Sequence, residues 1–309
     1  MLAFIKNCGV MIEPQEGMSV QGVLDASRLA ERTGFGYLFR SDHLLPTSRR
    51  EGLESPECWT TMGAIAASTK RIKLGTMVSP IGFRNPALLA RMANTVNEIS
   101  EGRLQLGVGA GWYGDEYRAH GFEFPDLDTR KQQFHEALQI IRPLTQSGRV
   151  DFEGTYFSAH LGTLPKLKTK VHLIIGGRVP SIVRQTAEFG DEWNFFPPIP
   201  EKFDALRKHL EASGRHIPIS RMGGFLLAEN AAGLRSRLKS AMRKGGIGGD
   251  EDAYSRSLKK KGQLVGTVSD FADGINRLRE RGVEKFYFQV WDFEKRKDFD
   301  LLVSVLKAM

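Results

Sequence analysis

Ser41-Asp42-His43 follows the apolar run Tyr37-Leu38-Phe39 and brings acid–base chemistry within reach. A histidine titrates near neutrality, at about 6.5 when unperturbed, and an adjacent carboxylate such as Asp42 can orient or tune it. The competing reading is a histidine that only packs and hydrogen-bonds, beside an Asp42 that caps a turn. No histidine or cysteine stands at metal-ligand spacing from His43, so metal binding is not expected. A second stretch, LQLGVGAGWYGDEY at 104–117, sets Gly109, Gly111 and Gly114 at the G-x-G-x-x-G spacing that cradles a dinucleotide. A third, Gly176-Gly177-Arg178, opens into RVPSIVRQ. A glycine pair before a helix leaves N–H groups and a positive helix end for phosphate, and Arg178 could add a charge-assisted contact. The plain alternative is a turn that uses glycine for its geometry. Trp112, Trp193 and Trp291 could wall a flat heterocycle or simply pack at a rim. Asp115 and Glu116 are read as capping or solvating their loop. Cys8 and Cys58 lack a histidine partner, and no G-x-S-x-G elbow is present.

The elements that must hold these residues alternate along the chain. Short apolar strands are expected at 2–8, 36–40, 72–78, 103–109, 171–177, 191–196, 221–229 and 284–290, each followed by an amphipathic helical stretch. Eight such units over one chain predict a (β/α)8 TIM barrel spanning 1–309 as a single domain; a doubly wound sheet is the alternative. Residues 149–170 read as an insertion after helix 4, and 244–262, rich in glycine and carrying Lys259-Lys260-Lys261, as a flexible, mobile loop region before strand 8. The glycines of 109–114 therefore end the fourth strand, and a loop with Pro125 delays the next helix. That context fails the dinucleotide reading. Glycines here would instead let backbone approach a flat ligand over the barrel mouth. Active sites of such barrels lie at the C-terminal strand ends, which selects Asp42 and His43; Thr76, Met77, Val78 and Pro80; Gly109, Gly111, Trp112, Asp115, Glu116 and Tyr117; Gly176, Gly177 and Arg178; and Trp291 and Asp292.

Composition narrows the class. Of 309 residues, 41% are hydrophobic and 26% charged, as in a soluble protein with a sizeable core. The net charge of +8 would suit an acidic ligand, but the basic residues are dispersed and no groove-reading motif is present, so nucleic acid is not an expected partner. No apolar stretch reaches membrane-spanning length, and two cysteines exclude a disulfide scaffold, which points to a cytoplasmic setting.

Taken together, AERTGFGYLFRSDHL, RIKLGTMVSPIGFRNPALLARMANTVNEISEGRLQLGVGAGWYGDEYRAHGF, IIGG and AEFGDEWN resemble the luciferase-like flavin monooxygenase superfamily. The resemblance is closer to its deazaflavin (coenzyme F420) dependent oxidoreductases. It implies a barrel holding F420, or alternatively FMN, at its mouth, with the phosphate against Gly176, Gly177 and Arg178. It also implies a cis peptide at Met77–Val78 buttressing the ring, and His43 near the reactive edge. With F420 the expected activity is hydride transfer to or from a small organic substrate. With FMN it is oxygen activation fed by a partner flavin reductase. A homodimer is the implied assembly. One departure stands out: some deazaflavin dehydrogenases carry an acid directly after the strand-four glycines, where this chain has Trp112.

Overall fold

The computed structural model describes residues 4–48, 50–162, 168–197, 200–290 and 296–309. Eight strands pair only in parallel: Cys8–Ile12, Tyr37–Arg40, Lys73–Thr76, Leu104–Gly109, His172–Gly176, Glu192–Phe195, Ile219–Gly223 and Lys285–Val290. Strand one pairs with strands two and eight, and strand three with strands two and four, so the ring has no free edge. This is a closed (β/α)8 barrel. Its strands are nearly continuous apolar runs because both faces are covered. Outward residues such as Val10, Leu38, Leu74, Leu106 and Leu173 meet the helices, while Met11, Tyr37, Phe39, Met77, Ile174 and Tyr287 fill the bore.

The helices begin where side chains can satisfy their first amides. Ser19 accepts from Gly22 N ahead of Val20–Thr33, Asn85 caps Pro86–Ile99, and Thr267 with Asp270 forms a capping box on Val268–Glu280. Gly34, at φ +101°, closes the first of these in the left-handed conformation that glycine adopts at least cost.

Three expectations change. The first strand lies at Cys8–Ile12, after a 3-10 turn at Phe4–Asn7, rather than at 2–8. Phe4 and Ile5 are buried in the main core, so their apolar character serves packing at the start of the chain. The stretch 221–229 is not one strand. Ile219–Gly223 belongs to the ring, whereas Phe225–Ala228 leaves it after the Gly223-Gly224 pair and joins Leu264–Thr267 in a separate two-stranded parallel sheet. Finally, 244–262 is not simply a loop, since Glu251–Lys260 forms a helix. Asp250 caps it, Glu251 and Asp252 occupy its first turn, and Lys259 and Lys260 its last, an arrangement that complements the helix dipole. Leu258 anchors this helix against Leu238 and Val265. The excursion at 149–170 contains an antiparallel hairpin, Val150–Glu153 with Ser158–Leu161.

A polar plug sits where the strands begin. Glu192 is fully buried; it accepts from Tyr287 Oη at 2.7 Å and His172 Nε2 at 3.3 Å and is ion-paired to Lys285. Burial opposes its charged form, but His172 and Lys285 outweigh that cost and hold the carboxyl well below the usual carboxylate range. Its contribution to stability is complete above its ordinary value of 4.5 and is lost as the pH falls through the lowered folded value. Removing one partner of a buried ion pair strands the other. Glu192→Gln should therefore lower unfolding stability by about 3–5 kcal/mol, measured by denaturant titration at neutral pH. Lys285→Met in the same chain should recover part of the loss.

Candidate active site

His43 stands immediately beyond strand two with its side chain 16% exposed. Its partner is Glu116, from the short helix Gly114–Ala119: His43 Nδ1 and Glu116 Oε2 are 3.0 Å apart. The other oxygen, Oε1, accepts the amides of Leu44 and Leu45, the latter at 3.0 Å. One buried carboxylate thus fixes both the ring and the backbone that carries it. Among the described residues Glu116 is the hydrogen-bond partner of the ring, so Nε2 is left for a ligand. Burial disfavours the imidazolium, but the Glu116 hydrogen bond and charge, followed by Glu13 and Asp42, outweigh it and raise the pKa above 6.5. This geometry can offer a proton from Nε2 when charged and accept one when neutral.

Asp42 does not orient His43. Its Oδ2 accepts from Ser79 Oγ at 2.6 Å and Arg84 Nη1 at 2.7 Å, and its Oδ1 from Arg84 Nη2 at 3.2 Å. Arg84 also binds Glu57 at 2.6 Å, and Trp59 Nε1 donates to Ser79 Oγ at 3.1 Å. The effect is to clamp the chain just past the Met77–Val78 peptide, which is cis. That matches the bond implied by the family resemblance.

The expected cofactor residues separate into groups. Thr76 is buried, and its hydroxyl donates to Gly107 O at 2.9 Å, while Met77 is buried in the bore. Val78 meets the ends of strands four and five. A Cβ on Gly109 would lie 2.7 Å from Val78 Cγ2, and one on Gly176 2.8 Å from Val78 Cγ1. The room these glycines leave is therefore occupied by Val78, not by open space for a ligand. Gly111, at φ +80°, likewise makes room for buried Tyr117, whose hydroxyl a Cβ would approach to 2.2 Å. At strand five, Gly177 N donates to Asn194 O at 3.2 Å and its carbonyl accepts Trp193 Nε1 at 2.8 Å. That N–H is therefore not free for phosphate, contrary to expectation. The helix that follows, Pro180–Phe189, has no side-chain cap, and Arg178 is exposed beside its start. Trp193 is fully buried and walls nothing; Trp291 and Asp292 lie outside the described residues. Pro80 extends the pairing of strand four, opposite Gly109. Trp112 is 66% exposed, stacked on Tyr113 (centroids 5.3 Å apart, 23° between planes) and edge-on to His43 at 5.7 Å.

Two acids at the mouth escape the sequence reading in different ways. Glu13 follows strand one and accepts from Gln15 at 2.9 Å and from Gln289, while Ser41 donates to Gln15 at 2.6 Å. Placing the first strand at 2–8 hides it; a strand at 8–12 would put it at the mouth. Glu116 is visible but assigned to loop solvation, whereas it is 1% exposed and bonded to His43. Among the described residues no group of three or more His, Cys, Asp or Glu side chains is placed to hold a metal, and no helix is long and apolar enough to cross a membrane.

A model of the luciferase-like monooxygenase family matches residues 2–287. The chain belongs to that family. Among curated relatives, the F420-dependent glucose-6-phosphate dehydrogenase of Amycolatopsis mediterranei (strain U-32) is 32% identical over 207 residues, 62% of this chain and 61% of that protein. The protein so named from Microbacterium testaceum (strain StLB037) is 37% identical over 164 residues, 52% of this chain and 48% of its own length. The chain thus spans about half to six-tenths of the length of these relatives. In structure, an F420-dependent secondary alcohol dehydrogenase in complex with an F420–acetone adduct superposes with a TM-score of 0.75 at 19% identity, covering 91% of this chain and 92% of that one. This likeness establishes the shared barrel.

Glu116→Gln removes the charge that offsets burial. The His43 pKa should fall below its native value, as read from the pH dependence of its ring NMR signals, while Asp42→Asn should move it less. A raised histidine pKa stabilises the fold at pH below about 6.5 and ceases to as the pH rises through the folded value. The Glu116→Gln stability deficit should accordingly be larger at pH 6 than at pH 9.

Proposed function

We propose that this protein is an F420-dependent oxidoreductase that transfers hydride between the deazaflavin and a small organic substrate. The observation that carries the reading is the His43–Glu116 pair: a histidine beside an exposed mouth, held through Nδ1 with Nε2 open. The F420-dependent relatives supply the choice of cofactor.

The residues present suit such a group. The Val78 side chain, backed by the glycines of strands four and five, offers an apolar bearing surface for a planar ring. Arg178 and the Ser181 amide are the donors this side would offer a phosphate, since Pro180 has no N–H and the Ile182 and Val183 amides already donate to Val179 O. When bound, a 5-deazaflavin supplies two-electron hydride chemistry at a ring carbon. The chain's own part is to position and to manage a proton. Nε2 of His43 donates to a substrate carbonyl oxygen in one direction and accepts the hydroxyl proton in the other. Glu116 keeps Nδ1 protonated throughout, so that Nε2 is always the exchanging site. Asp42 is a positioning residue, acting through Ser79 and Arg84 on the segment after Val78.

Absorbance titration of the protein with F420 and with FMN tests the reading. Tight binding of FMN with none of F420 would replace it with the monooxygenase alternative. His43→Ala should lower kcat/KM by about 10²–10⁴-fold, the usual worth of a positioned acid–base group, with F420 affinity little changed. Arg178→Ala should do the reverse, weakening F420 binding by about tenfold or more for the loss of a charged hydrogen bond while leaving the His43 titration in place.

A further inference from the structure

We infer that the substrate taken beside His43 is a flat, apolar carbonyl compound or its alcohol, with an aryl or conjugated body next to the reacting carbon, and not a sugar phosphate. This inference rests on the proposed site and specifies what that site accepts.

Trp112 is the main observation. At 66% it is the most exposed large hydrophobic side chain among the described residues, and its indole lies edge-on to the ring with the open Nε2. Its placement is set from behind. Gly111 is confined by Tyr117, and Tyr113, on which the indole stacks, donates its hydroxyl to Pro46 O at 3.4 Å. Tyr113 is also edge-on to His43, at 6.2 Å and 75°. Two stacked rings thus form one wall along the imidazole. Exposed Val179 and Phe196, just beyond strands five and six, continue the apolar character around the mouth.

The charges on the same side argue against a phosphate. Arg84 is held by Asp42 and Glu57, Arg50 by Glu16, and Arg118 by Asp115. Among the described residues, these three arginines near His43 thus each already face an acidic partner. A dianion brought to this wall would have to displace Asp42, Glu57, Glu16 or Asp115 to gain a guanidinium partner. A planar ketone would instead bury its ring against Trp112 and accept from His43 Nε2 through its oxygen.

Acetophenone and glucose 6-phosphate are suitable opposed probes. Binding to the cofactor-free protein is followed by tryptophan fluorescence and by the His43 ring signals, and repeated after loading with F420. Acetophenone should quench fluorescence and shift the His43 signals, and glucose 6-phosphate at equal concentration should do neither. Trp112→Ala should weaken acetophenone binding about tenfold and Trp112→Phe largely restore it, with thermal unfolding unchanged in both, as expected for a lost aromatic stacking contact. Preferential binding of glucose 6-phosphate, or acetophenone binding indifferent to Trp112→Ala, would overturn the inference. Either result in a protein that still binds F420 leaves the proposed function standing. Failure to bind F420 counts against that function alone, because the probe titrations of the cofactor-free protein are read independently.

Discussion

The mouth depends on how closely strands three, four and five approach one another. A Cβ on Gly107 would lie 2.1 Å from Thr76 O, and one on Gly75 2.0 Å from Gln105 O. Nothing larger than hydrogen is accommodated at either position without moving backbone. That proximity lets a four-residue strand, Lys73–Thr76, close the ring on both sides. It also leaves Val78 seated between Gly109 and Gly176, at the ends of strands four and five.

Charge is handled differently at the two ends of the barrel. At the strand starts, Glu192 is saturated by His172, Lys285 and Tyr287, an arrangement suited to filling a bore that apolar side chains only partly occupy. At the strand ends, Asp42 and Glu116 are buried to the same degree, each 1% exposed, yet their surroundings differ. Asp42 accepts from Arg84 and Ser79 through its two oxygens. Glu116 faces a histidine, and a histidine can change charge near neutrality. Two adjacent residues in sequence, Asp42 and His43, therefore belong to separate networks.

The wall of Trp112 and Tyr113 completes the asymmetry of the mouth. One side presents aromatic faces beside His43, and another presents Arg178 with an uncapped helix start.

The cis bond at Met77–Val78 and the departure at Trp112 were readable only through the family resemblance, whereas the alternation of apolar strands with amphipathic helices and the Ser41-Asp42-His43 triplet were determined by the sequence itself. Local pattern carries such information because periodicity reports burial, and because turn residues report the backbone they require. The pairing of His43 with Glu116 was not legible in the same way, since 73 positions separate them and they meet only because strand three pairs with both strand two and strand four, which sets the segments beyond those two strands within reach of each other. Gly109 and Gly176 show the same limit. Their type signals a close approach, but whether the space belongs to a ligand or to Val78 depends on a side chain far away in the chain. Tertiary structure decided these partnerships because hydrogen bonds and steric contacts act between groups in space, and the sequence orders those groups only along the backbone.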